Sequence, residues 1–220
     1  VEKYNKFPLG IRKVLWQFWH KLLIRYDKKM SANFINYGYN SLNGDAPLIL
    51  AEKDEKNRYC IQLYDQLANK TDLQDKEVLE VGSGRGGGAS YISRYYYPKK
   101  YTGLDISASI INFCNSYYNI PGLSFVKGSA EKLPFADESF DVVVNVESAR
   151  AYNNLDYLFE EVHRILRPGG YFLITDMIEK QLVSKLFYSL IDNQFEAVTV
   201  KNITDNVITA LEKDTARREE

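Results

Sequence analysis

The chain has 220 residues, of which 45% are hydrophobic and 26% charged, with 28 Lys and Arg against 29 Asp and Glu for a net charge of −1. That length fits one α/β domain with an appendage, and the balanced charge makes no electrostatic case for nucleic acid. His20 and His163 are isolated and Cys60 and Cys114 lie far apart, so no metal-type cluster forms; buried thiols in a reducing, cytoplasmic setting are expected.

In chain order, residues 1–70 read as an N-terminal helical cap or lid. Ile11, Leu15, Phe18 and Leu22 recur at helical spacing, with Trp16, Trp19 and Leu23 widening the stripe. Such a helix packs on the main domain, closes over an apolar acceptor, or lies on a membrane surface with Arg12, Lys13, Lys21 and Arg25 flanking it. The run is too short and too polar to span a bilayer, and no leader peptide is visible. Phe34-Ile35-Asn36-Tyr37-Gly38-Tyr39 follows in a turn-rich segment whose tyrosines either reach a ligand or pack.

Residues 71–220 alternate between strands and helices. Strands are predicted at 77–81, 101–105, 123–127, 140–146 and 171–175. Between them, one helix spans 87–97 and a second, capped by Ser107, carries Ile110, Ile111, Cys114 and Tyr118. A third buries Leu155, Leu158, Phe159, Val162, Ile165 and Leu166. Arg167-Pro168-Gly169-Gly170 ends that helix before the fifth strand. This alternation predicts a parallel sheet covered by helices on both faces. A sixth strand is predicted at 196–201 and a helix at 205–215, with no seventh strand; a truncated C-terminus is expected.

The most informative stretch is Glu80-Val81-Gly82-Ser83-Gly84-Arg85-Gly86, between the first strand and its helix. Gly82 and Gly84, with Ser83 between them, let the backbone turn tightly and approach a ligand. Glu80 puts a carboxylate at the carboxyl end of the strand, where open α/β sheets bind ligands. It suits a cationic ligand and would repel a pyrophosphate. Gly82, Gly84 and Gly87 also satisfy a dinucleotide-binding spacing, but the acid argues against a phosphate and no Tyr-x-x-x-Lys motif is present.

Joined by Asp105, the 128–135 stretch, Phe140-Asp141-Val142-Val143 and the Arg-Pro-Gly-Gly turn, this motif resembles the class I S-adenosylmethionine-dependent methyltransferases. Asn36-Tyr37-Gly38-Tyr39, Asn145-Val146-Glu147-Ser148 and 203–207 extend the likeness to phthiotriolone dimycocerosate methyltransferases and related polyketide and lipid O-methyltransferases. The resemblance implies a Rossmann-like sheet whose last, antiparallel strand is missing here. It implies S-adenosylmethionine as cofactor, no metal, and a small or lipid-like acceptor, most often a hydroxyl. Methylation of carbon or nitrogen, or cofactor binding without catalysis, are the alternatives.

The same resemblance distributes roles. Asp105 would accept from the ribose hydroxyls and Ile106 pack on adenine. Ser129 stands where the family usually has an acid for the adenine amino group, with Glu131 as its substitute or merely solvated. The Ala130 backbone N–H would meet an adenine ring nitrogen. Gly82, Asn145 and Val146 would flank the methionine end, with Tyr37 or Arg85 at its carboxylate. Glu147 and Arg150 are the candidate catalytic residues. Relatives often carry His at the place of Arg150, and an arginine stays protonated, so Arg150 would orient an acceptor while Glu147 serves as base or as a positioning group.

Overall fold

The computed structural model describes residues 33–44 and 46–215. The helix expected around Ile11 to Leu23, with His20 and its membrane-surface option, lies outside the described residues. Five strands form one sheet: β1 (Glu77–Val81), β2 (Lys100–Asp105), β3 (Leu123–Lys127), β4 (Phe140–Val146) and β5 (Leu166–Thr175). Their order is β3-β2-β1-β4-β5, all neighbours parallel. The chain therefore winds outward in one direction from β1 to β3, then crosses to β4. The reversal between β1 and β4 opens a crevice at the carboxyl ends of these strands, the place where such sheets bind ligands.

Successive strand residues point to opposite faces, and both faces here are apolar, so the strands read as unbroken hydrophobic runs. On one face Val78, Tyr101, Val142 and Val144 pack with residues of α2 (Arg58–Ala68), α3 (Gly87–Tyr95) and α4 (Ala108–Tyr117). On the other, Leu79, Val81, Leu104 and Val143 meet Leu158, Phe159, Val162 and Ile165 of α5 (Leu155–Ile165). A single turn, α1 (Glu52–Glu55), precedes α2, and Asp54 in it is bridged by Arg94 of α3 at 2.6 Å. Ser107 caps α4 as expected, accepting from the Ile110 N–H at 3.5 Å, and Asn154 caps α5.

Three local expectations change. The helix predicted to reach residue 97 stops at Tyr95, because Tyr97 takes a left-handed φ of 51° ahead of Pro98. β5 begins at Leu166, not at residue 171. The Arg-Pro-Gly-Gly turn becomes an irregularity inside the strand, where Arg167 bridges Glu77 and Asp141, each at 3.0 Å. The predicted sixth strand at 196–201 is irregular chain. Val198 and Val200 there are exposed, and without a ladder partner an apolar run does not make a strand. α6 (Val183–Asp192) was not anticipated, although Leu186 and Leu190 repeat at helical spacing and pack against the α5 layer. α7 (Thr204–Lys213) matches the predicted C-terminal helix closely.

Candidate active site

The glycine turn is built as its spacing demands. Gly82, Gly84 and Gly86 all take left-handed φ values, 79°, 50° and 76°, a region that disfavours side chains. Gly82 and Ser83 donate their N–H groups to the Leu104 carbonyl, at 2.8 and 3.0 Å, which ties the turn to β2. From below, the Cys114 thiol and the Tyr118 hydroxyl donate to the carbonyls of Gly84 and Arg85. Above Gly84 the space is open: an added Cβ would meet only Ile35 Cδ1, at 3.8 Å. The turn thus presents bare backbone to the crevice.

Glu80 and Asp105 share one face of the sheet, since Glu80 pairs with Gly103 and Asp105 lies two residues further along β2. Their surroundings differ. Glu80 is 0% exposed, its two oxygens accepting from Tyr64 at 2.8 Å and Tyr101 at 3.1 Å. Burial raises its carboxyl to about 7, the two phenols oppose that rise, and the charge of Asp105 adds to it. Glu80 is sealed beneath the turn, within electrostatic reach of Asp105. Asp105 sits at the crevice, accepting from Ser107 N–H at 2.9 Å and Gly84 N–H at 3.1 Å. Burial pushes its carboxyl up, against the pull of the Ser107, Gly84 and Ile106 N–H groups. Ile106 next to it is 42% exposed.

Past β3, Gly128 donates to the Asp105 carbonyl at 3.0 Å and brings Ser129 and Ala130 to the same rim. Ser129 Oγ accepts from the Glu131 N–H at 3.3 Å. Glu131 is turned toward the start of α5, where Oε1 accepts from Asn153 N–H at 2.7 Å. At the end of β4, Asn145 donates to the Val81 carbonyl and to Tyr152 Oη, and Val146 is buried. Ser148 and Tyr152 fill the side of Gly82 where a Cβ would point.

Glu147 begins the loop after β4 with a left-handed φ of 49°. Its Oε2 accepts from the Tyr37 N–H at 3.1 Å and lies 3.8 Å from Arg150. Arg150 also stands over the Tyr37 ring, 5.6 Å from its centroid, and bonds Asp176 at 2.8 Å. The structure therefore brings Tyr37 to Glu147 and Arg150, which are distant from it in sequence, at one edge of the crevice. Sequence reasoning did not single out Asp176, Tyr64 or Tyr152. Asp176 had a signal, being an acid just past a strand end like Asp105; the two tyrosines had none, because a phenol's hydrogen-bond partner is set by tertiary packing.

S-adenosylmethionine offers vicinal hydroxyls, a sulfonium and an amino-acid end, and these residues fit it. Asp105 keeps acceptor capacity toward the crevice, Gly84 leaves room for close approach, and the buried Ser83 Oγ and Asn145 Oδ1 have no partner in the protein. Among the described residues no group of His, Cys, Asp and Glu could hold a metal, and no helix is long and apolar enough to cross a membrane.

A parallel sheet in this order, with a glycine turn after β1 and an acid ending β2, defines a class I Rossmann-like methyltransferase. Residues 79–174 match the family described as "Methyltransferase domain". A fatty-acid O-methyltransferase from Mycolicibacterium smegmatis is 44% identical over 88% of this chain and 72% of its own length. A phthiotriol/phenolphthiotriol dimycocerosates methyltransferase from Mycobacterium ulcerans is 39% identical over 93% of this chain and 75% of its own. The chain belongs to this family of S-adenosylmethionine-dependent methyltransferases. Among solved structures, that of the [4+2]-cyclase SpnF superposes with a TM-score of 0.74 at 19% identity, covering 94% of this chain and 83% of that one. That likeness speaks for the fold alone, since one fold hosts several chemistries.

Proposed function

We propose that this methyltransferase moves the methyl group of S-adenosylmethionine to an oxygen of a lipid-like acceptor. The observation that carries the acceptor class is the 44% identity, over 88% of the chain, with an enzyme named for fatty-acid O-methylation. The phthiotriol dimycocerosates relatives, also named for lipid acceptors, support it from a second direction.

When bound, S-adenosylmethionine supplies an electrophilic methyl on its sulfonium. Asp105 accepts from the ribose hydroxyls, Ile106 covers the adenine, and Ser129 Oγ with the Ala130 N–H reads its edge. Gly82, Ser83 and Gly84 cradle the amino-acid end, with the Asn145 and Val146 backbone alongside and Tyr37 above. Buried Glu80 anchors the base of the turn in place of a direct contact, because its oxygens are taken by Tyr64 and Tyr101. Glu131 is engaged with Asn153 and takes no part at the adenine.

The protein's main contribution is then orientation of an acceptor oxygen on the line of the departing methyl, an effect able to supply on the order of 7–11 kcal/mol. A hydroxyl acceptor must also lose its proton, and Glu147 is the carboxylate at the right edge to receive it. Residues 33–40 lie over the turn, with the Asn33 carbonyl against Gly87 and Ile35 facing Gly84. This supports reading the 33–40 segment as a cap that excludes water from the acceptor side, whereas α2 belongs to the main core. Both cysteines are buried and free, in keeping with a reducing, cytoplasmic setting.

The test is methyl transfer from labelled S-adenosylmethionine to a panel of free fatty acids, hydroxylated lipids and lipid amines, with products identified by mass spectrometry. O-methyl products are expected. N- or C-methyl products would overturn the oxygen assignment, and tight cofactor binding without any product would make the protein a non-catalytic binder.

A further inference from the structure

We propose that Asp176 is a positioning residue for the cofactor crevice: through Arg150 it holds Glu147 and Tyr37, and with them the 33–40 strap, in place. The strap contacts are properties of the apo protein; only their consequence for the cofactor rests on the function proposed above.

Asp176 immediately follows β5, and its side chain is 2% exposed. Its carboxylate takes three donors: Arg150 N–H at 3.0 Å, Arg150 Nη1 at 2.8 Å and Met177 N–H at 2.7 Å. One side chain thus fixes both ends of Arg150, the backbone of its 3-10 turn (Ala149–Ala151) and its guanidinium. A charged bond of this kind, buried at one end, is stronger than an exposed ion pair.

The guanidinium so held stands 3.8 Å from Glu147 Oε2 and 5.6 Å from the centre of the Tyr37 ring. Glu147 Oε2 in turn takes the Tyr37 N–H. Tyr37 is therefore gripped twice, by backbone and by ring, from a unit whose anchor is Asp176. The left-handed φ of Glu147 fits this account, since a strained residue persists only where its surroundings over-determine it.

The strap's other contacts show why its position matters. Asn36 Nδ2 donates to the Cys60 carbonyl, and Tyr39 N–H to the Tyr59 carbonyl, each on α2. Asn40 and Asn206 exchange hydrogen bonds with each other's backbone. Tyr37 is where this strap meets the loop after β4, two residues from Ile35, which faces Gly84 of the glycine turn.

The experiment compares amide hydrogen exchange at Tyr37, without cofactor, in the wild type, Asp176→Asn, Asp176→Glu and Arg150→Gln. Asp176→Asn and Arg150→Gln should each speed exchange at Tyr37 by roughly tenfold, the scale of one charge-assisted hydrogen bond. Asp176→Glu should recover part of the protection. The KM for S-adenosylmethionine should rise by a similar factor in Asp176→Asn and Arg150→Gln. Unchanged Tyr37 exchange in Arg150→Gln overturns the proposal, and that variant alters an exposed side chain, so it remains decisive if Asp176→Asn does not fold. If the wild type fails to bind S-adenosylmethionine, the proposed function falls while the exchange result still judges the strap.

Discussion

Tyr64 reaches from α2 to donate a 2.8 Å hydrogen bond to Oε1 of Glu80, joining the segment before the sheet to the root of the cofactor turn. Both groups are buried, so the phenol is the main compensation that oxygen receives. Tyr64→Phe should destabilise the protein by about 1–3 kcal/mol, the cost of leaving a buried acceptor unmet. Urea unfolding measures this directly; an unchanged midpoint would mean that the carboxyl finds another donor.

The same burial makes stability depend on pH in an unusual direction for an acid. Glu80 is raised from 4.5 to about 7 in the folded protein, so between those values the native state holds a proton that the unfolded chain has lost. Stability from this group is present below pH 4.5 and is lost as pH rises toward 7, levelling above it. Glu80→Gln cannot titrate. The unfolding free energy of wild type minus that of Glu80→Gln should therefore fall across this window, and a flat difference would contradict the assignment.

Much of this architecture is legible in the sequence because it follows from local periodicity. The strands at 77–81, 123–127 and 140–146 are found where the apolar runs place them, and Ser107 caps its helix. The runs at 167–170 and 196–201 misled for opposite reasons. Pairing with β4 carried β5 back through a turn sequence, whereas the lack of a neighbour left Val198 and Val200 irregular. The site divides in the same way. Gly82, Gly84 and Asp105 are recognisable because a backbone turn and a strand end write themselves into residue types. The roles of Tyr64 and Asp176 depend on which distant group faces them, and no spacing encodes that.

Two glycines of the same turn region, Gly84 and Gly88, should separate binding from folding when each is changed to Ala. At Gly84 the new Cβ meets only Ile35 at 3.8 Å, but it projects toward the crevice from a φ of 50°. The left-handed backbone costs roughly 1–2 kcal/mol, so the variant should fold and lose cofactor affinity. At Gly88 the Cβ falls 2.0 Å from the Tyr64 ring. Overpacking of that kind costs about 1–3 kcal/mol and displaces the partner of Glu80. Thermal melting and calorimetry with S-adenosylmethionine distinguish the two; wild-type affinity in Gly84→Ala would remove the turn from the cofactor site.

Glu147→Gln tests whether this carboxylate receives the acceptor proton or only orients. The amide oxygen can still accept from Tyr37, so the strap contact survives the change. If Glu147 acts as general base toward a hydroxyl, kcat should fall by about 10²–10⁴ while the KM for S-adenosylmethionine moves little. An acceptor already ionised at neutral pH needs no base, so a free fatty acid should be methylated by the variant at close to the wild-type rate. Running both acceptors on one preparation makes the outcome internal: a selective loss on hydroxyls assigns the proton to Glu147, and an equal loss on both reduces Glu147 to geometry.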